Sequence, residues 1–183
     1  DPQTTAVFLH GLQIALENGV AVVPGVIQRG IDWLSTYQRQ ELEKLRIGRM
    51  DPKDRPESAQ WKRYADSMDA LVYMILVDEK IDNKQMREYL YEDRAQLPVY
   101  ALSMLGIACH KVEDIEKRDM IIRNIGQYLV TDDENQTAYL NLPNSNYWWY
   151  WYGSEYEAHA YYLKLLSITN AKGDTASRIV KYL

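Results

Sequence analysis

A chain of 183 residues, 46% of them hydrophobic, is long enough to bury a sizeable core, and a single helical domain over 1–183 is the simplest organisation it predicts. Its formal net charge of −5, from 21 basic and 26 acidic residues, favours solubility and argues against a nucleic-acid partner. Cys109 is the sole cysteine, which excludes an internal disulfide, and the sequence contains neither an apolar run of ~20 residues nor a signal-peptide pattern.

In chain order, TTAVFLHGLQIALENG reads as a first helix, with Val7, Leu12, Ile14 and Ala15 on an apolar side, Thr4 or Thr5 as its cap and Asn18-Gly19 as its stop. Pro24 suits the first turn of a second helix, whose Ile27, Ile31 and Leu34 recur at helical spacing before the charged tail RQELEKL. RIGRMDPKDRPES is charged, carries Gly48, Pro52 and Pro56, and reads as an exposed linker. From Ala59 or Trp61 a third helix takes Tyr64, Met68, Leu71, Val72, Ile75 and Leu76, and after a break at 80–83 a fourth follows in KQMREYLYED.

Pro98 would be costly inside a helix and marks the start of the next, LPVYALSMLGIACHK, which pairs with a helix predicted over DIEKRDMIIRNIGQYLVTDD. ENQTAYLNLPNSN has mixed turn signals that fit a short strand or an irregular loop. The aromatic run NYWWYWY then leads into a helix with Ser154 as cap and Glu157 at the capping-box position, and TASRIVKYL closes the series after a turn at 170–173. VFLHGLQIA at 7–15, YALSMLGIA at 100–108 and YYLKLLSIT at 161–169 form a weak internal repeat. Repeated helical hairpins leave apolar sides that their neighbours must cover, which points to an all-α solenoid or closed α/α toroid.

Several groups invite a chemical reading. Glu155 and Glu157 lie beside the tryptophans, and Asp66 and Asp69 share a helical side, so paired carboxylates in an aromatic cleft are one arrangement for acid–base work on a sugar. The simpler reading caps a helix with Glu157 and pairs the aspartates with Lys62 and Arg63, or leaves them solvated. His10, His110, His159 and Cys109 lack the compact spacing of a structural zinc site, and Cys109 in the apolar stretch IACHK describes a small packed side chain better than a nucleophile. The expectation is therefore no catalytic residue, no metal and no cofactor. Trp148, Trp149, Trp151 and Glu155 remain a candidate binding surface for a glycan or peptide, since basic charge is sparse there and the first basic residue after the run is Lys164.

TTAVFLHGLQIA followed by IQRGIDWLSTYQ, then LPVYALSMLGIA, and finally GSEYEAHAYYLKLL with its following helix resemble successive inner and outer helices of one known toroid. That toroid is the helical thioester domain of alpha-2-macroglobulin and complement-type proteins, particularly their bacterial relatives. The resemblance implies a non-catalytic part of a broad-spectrum protease inhibitor, an incomplete toroid within a larger chain. Its partners would be the other domains of that chain and, through them, target proteases. The implied location is extracellular or periplasmic, with anchoring to a membrane through the parent protein left open. In that family a cysteine and a glutamine in a Cys-Gly-Glu-Gln-like sequence form the thioester. Here the cysteine stands in Ala108-Cys109-His110-Lys111, so no thioester residue carries over. Either the reactive motif precedes Asp1 in the parent, or the parent belongs to a branch without it. The alternative is a glycan- or peptide-binding toroid, including a carbohydrate-active enzyme domain.

Overall fold

The computed structural model describes residues 1–23, 25–142 and 155–183. The described residues are mostly helical, with eight α-helices and one antiparallel β-hairpin, and they divide into two compact units, Asp1–Leu97 and Pro98–Leu183.

The first unit holds α1 (Pro2–Glu17), α2 (Val26–Gly48), α3 (Ser67–Asp78) and α4 (Lys84–Glu92). Asp1, rather than Thr4 or Thr5, caps α1, because its carboxylate reaches both the Gln3 amide at 3.2 Å and the Thr4 hydroxyl at 2.9 Å. The helix stops where expected, at Asn18, with Gly19 at φ 77°. In α3 every residue from 69 to 77 is buried, so the helix is surrounded, and α1, α2 and α4 all pack on it. By contrast α4 buries only Met86, Arg87 and Leu90, a single stripe. Leu9 of α1 presses on Gly30 of α2, where a Cβ would stand 2.6 Å from the Leu9 methyl carbons, which lets the two helices approach closely.

The sequence reading of the connector needs correction at both ends. Helix α2 runs on through Gly48, and α3 starts at Ser67 rather than near Ala59 or Trp61. The later start follows from a reciprocal capping box: Asp66 Oδ1 accepts the amides of Met68 and Asp69, while Asp69 Oδ2 accepts the Asp66 amide. That geometry fixes Asp66 as the residue outside the helix.

The second unit holds α5 (Val99–Lys111), α6 (Ile115–Gly126), β1 (Leu129–Asp132), β2 (Thr137–Leu140), α7 (Glu155–Thr169) and α8 (Asp174–Tyr182). Pro98 stands at the N-cap of α5, as its missing amide hydrogen demands, and every residue from 101 to 109 is buried. Helices α6 and α7 both pack on α5, α6 through Ile121 and Ile125. At Gly106 a Cβ would stand 2.7 Å from a Leu165 methyl, so α5 and α7 meet at close range.

The sequence LVTD, taken above as the end of a helix, is strand β1. It pairs with TAYL so that Leu129 faces Leu140 and Asp132 faces Thr137. β-Branched and aromatic residues on both sides of a polar turn favour this hairpin. Asp132 holds the turn by accepting the Asn135 amide at 3.0 Å and its Nδ2 at 2.7 Å, and Gln136 adopts φ 54°. Helix α8 lies on β2.

Candidate functional site

The densest group of charged side chains in the first unit is built by the connector between α2 and α3. Arg55 donates to the Gly48 carbonyl at 2.8 Å and lies over the Trp61 ring, while the Lys62 amide donates to the Lys44 carbonyl at 3.2 Å. A side chain on Gly48 would run into the Lys62 carbonyl oxygen, so only glycine lets this strand of chain cross the end of α2 so closely. The crossing turns Lys62 inward.

Its ammonium then meets three carboxylates, one for each of its hydrogens: Asp69 Oδ2 at 2.5 Å, Glu41 Oε2 at 2.8 Å and Asp66 Oδ2 at 3.2 Å. Lys44 reaches the other Glu41 oxygen at 2.6 Å. Asp69 is 1% exposed, and its Oδ1 is buried without a hydrogen-bond partner, as is Gln38 Nε2 on α2. Such an atom carries its desolvation cost uncompensated.

The electrostatics follow from that arrangement. Burial, reinforced by the Asp66 charge, pushes the Asp69 carboxyl up to about 6 even with Lys62 beside it. At Glu41 burial acts in the same sense, but hydrogen bonds from Lys44 and Lys62 outweigh it and hold the carboxyl below its usual value. Burial tends to lower Lys62, and the surrounding carboxylates overcome it and raise the ammonium. Tyr37, one turn before Glu41 and stacked on Trp33 with centroids 5.9 Å apart, is pushed up to about 12 by burial and then by the Glu41 and Asp69 charges. In the fold, these contacts fasten the connector to α2 and α3.

The sequence reading paired Asp66 and Asp69 with Lys62, and the three do come together; Arg63 instead lies over the Tyr64 ring at 5.2 Å. That reading missed Glu41 and Gln38. The signal was present, because Ile31, Leu34, Gln38, Glu41 and Leu45 recur at spacings of three and four and are all buried, which puts two polar residues on the apolar stripe of α2.

In the second unit, the residues beside the aromatic run form a different group. Trp148, Trp149 and Trp151, and the Ser154 cap, lie outside the described residues. Glu155 opens α7; its carboxylate accepts the Tyr182 hydroxyl at 2.9 Å and its carbonyl accepts Nδ1–H of His159 at 2.7 Å. His159 is fully buried, and its Nε2 accepts the Leu140 amide at 2.8 Å. A ring that donates at one nitrogen and accepts at the other is the neutral Nδ1–H tautomer. Tyr182 stacks on His159 at 5.2 Å and on Tyr139 at 5.4 Å, tying α8, α7 and β2 together.

The remaining chemical candidates are also placed. Cys109 is buried in α5, His110 Nδ1 accepts from Arg118 at 3.1 Å, and Asp114 caps α6. Among the described residues no three His, Cys, Asp or Glu side chains are grouped to hold a metal ion, and no helix is long and apolar enough to cross a membrane. Comparison with protein-family models, curated proteins and solved structures finds no match for the chain.

Proposed function

We propose that this chain is a non-catalytic helical domain of an alpha-2-macroglobulin-like, broad-spectrum protease inhibitor, and that its hairpins belong to an α/α toroid. The observation that carries the reading is the alternation of helix environments within each unit. In the first, α1 packs on α3, and α3 is surrounded; in the second, α5 packs on α7, and α5 is surrounded. Each of the four is followed by one that buries a stripe, α2 after α1, α4 after α3, α6 after α5 and α8 after α7, while α1 and α7 are themselves buried along one side only. Inner helices touching one another, each backed by an outer helix, is the layering that successive hairpins of an α/α toroid require.

The placement of the acidic groups supports a structural role as well. Asp66 and Asp69 start a helix and bind Lys62, while the Glu155 carboxylate accepts the Tyr182 hydroxyl. Their work is capping and cross-linking. In this proposal the partners are the other domains of a larger chain and the proteases that attack it, and the location is extracellular or periplasmic.

The test is to expose the full-length protein to a broad-specificity endopeptidase and follow it by native electrophoresis and peptide mapping. The expected result is early cleavage in one segment outside 1–183, accompanied by a mobility change. Intact mass after methylamine then separates the two branches, since an adduct on a glutamine marks a thioester and an unchanged mass marks its absence. Saturable binding of a defined glycan, lost on Trp149→Ala or Trp151→Ala and without any protease-induced change, would replace this reading by the glycan-binding alternative.

A further inference from the structure

The group around Lys62 holds more carboxylates than ammonium groups: Glu41, Asp66 and Asp69 against Lys62 and Lys44. The most buried of the three, Asp69, has one oxygen on Lys62 and the Asp66 amide and the other without a hydrogen-bond partner. We propose that Asp69 is the proton-binding element of a clasp that fastens the connector, residues 51–66, across α2 and α3, closed more firmly when Asp69 is protonated and loosened when it ionises.

The geometry gives the clasp its moving part. The connector is held by a small number of contacts on either side of the cluster: Arg55 on the Gly48 carbonyl, the Lys62 amide on the Lys44 carbonyl, the Ala65 amide on Asp93 at 2.7 Å, and the Asp66 amide on Asp69 itself. Lifting it removes Lys62 from Glu41 and Asp69 and brings water to the orphaned oxygen. A segment held by few contacts opens locally at less cost than the whole unit unfolds.

The charged and titratable groups facing Asp69 are Tyr37 and Glu41 on α2, the latter bridged to Lys44, and Lys62 and Asp66 on the connector. The other helices on α3 meet it at later turns, α1 through Gln13 at the Ile75 carbonyl, while Tyr73 bonds Asp82 just before α4. Of the facing groups, Glu41 is held below its usual value by Lys44 and Lys62, Lys62 and Tyr37 are raised, and Asp69 is the one moved into the mildly acidic range. The sign follows. A carboxyl raised in the closed form stabilises that form at low pH, and the contribution is lost as pH rises through about 6.

The experiment is amide hydrogen exchange on the full chain, read as protection factors at the Lys62 and Asp66 amides so that the intrinsic pH dependence of exchange is removed. Between about pH 5 and about pH 7.5, protection at both amides should fall about tenfold, the change that linkage gives for a carboxyl moved from near 4 to near 6. Amides in the middle of α5 serve as the reference and should not follow. Asp69→Asn should abolish the pH dependence whatever it does to absolute protection. A side-chain carboxyl NMR titration of the unmodified protein needs no variant, and it should place Asp69 near pH 6. Equal protection at the two pH values, or a pH dependence that survives in Asp69→Asn, or an Asp69 carboxyl titrating near the ordinary carboxylate value, would overturn the proposal.

Discussion

The carbonyl oxygen of Lys62 occupies the space that a side chain on Gly48 would need. Because the obstacle is backbone, a methyl group there cannot be relieved by a rotamer change. Gly48→Ala is therefore expected to cost about 1–3 kcal/mol, the range for forced overpacking, despite alanine's better helix propensity. The check is urea denaturation followed by exchange at α3 amides. A variant as stable as the parent would show that the connector yields easily, and that Lys62 is not turned inward by this contact.

His159 satisfies two backbone groups at once, the Glu155 carbonyl and the Leu140 amide. Replacing it with Leu leaves the Leu140 N–H buried with no acceptor, at an expected cost of about 1–3 kcal/mol. Exchange at the Leu140 amide should accelerate sharply in His159→Leu. If that amide remains as protected as in the parent, another group has taken over the bond and the cross-link is dispensable.

Close contact between α5 and α7 depends on Leu165 filling the space above Gly106. Leu165→Ala should cost about 2–5 kcal/mol through lost burial and the cavity left behind. Tyr156, 70% exposed on the same helix, supplies the comparison, and Tyr156→Ala should stay within about 0.5 kcal/mol. Similar losses at both positions would contradict the placement of Leu165 in the close contact between α5 and α7.

Glu41 and Asp69 share one ammonium but pull stability in opposite directions with pH. Glu41, lowered in the folded chain, contributes stability that is present above its unfolded value and disappears as pH falls through its folded one. Asp69, raised, contributes stability below its unfolded value that is lost as pH climbs towards about 6. Urea midpoints of Glu41→Gln should accordingly fall less steeply than the parent's on the acid side of about pH 4. An unchanged acid limb would mean that the Lys44 and Lys62 contacts to Glu41 contribute nothing in solution.

Leu71, Val72, Ile75 and Leu76, and Leu102, Leu105 and Ala108, were legible as core from their helical spacing and all are buried, but so is every other residue from 69 to 77 and from 101 to 109, so these helices are surrounded rather than two-sided. The hairpin of β1 was not, since Leu129 and Val130 continue an apolar pattern begun by Ile121 and Ile125, and only the strand partner downstream makes them extended. Charge and proline over 46–58 suggest an exposed linker, and 51–58 is exposed connector apart from the half-buried Arg55, while 46–48 form the last turn of α2. Lys62, expected inside a helix, instead lies in the connector with a largely buried ammonium. The carboxylates at 66 and 69 were legible as a spaced pair, but their third partner, Glu41, lies on another helix and is brought in by tertiary packing. Glu155 was singled out as a ligand contact for its aromatic neighbours; its described contacts are Tyr182 and His159.

Whether this helical array serves a protease trap is tested most directly by the size of substrate that an attacking protease can still cleave. The full-length protein is mixed with a slight molar deficit of an endopeptidase, and activity is measured on a small chromogenic peptide and on a large protein substrate. A trap leaves the small substrate accessible and shields the enzyme from the large one, so hydrolysis of the protein substrate should be lost while peptide hydrolysis persists. Equal activity on both substrates, with the full-length protein degraded as an ordinary substrate, would contradict the proposed function.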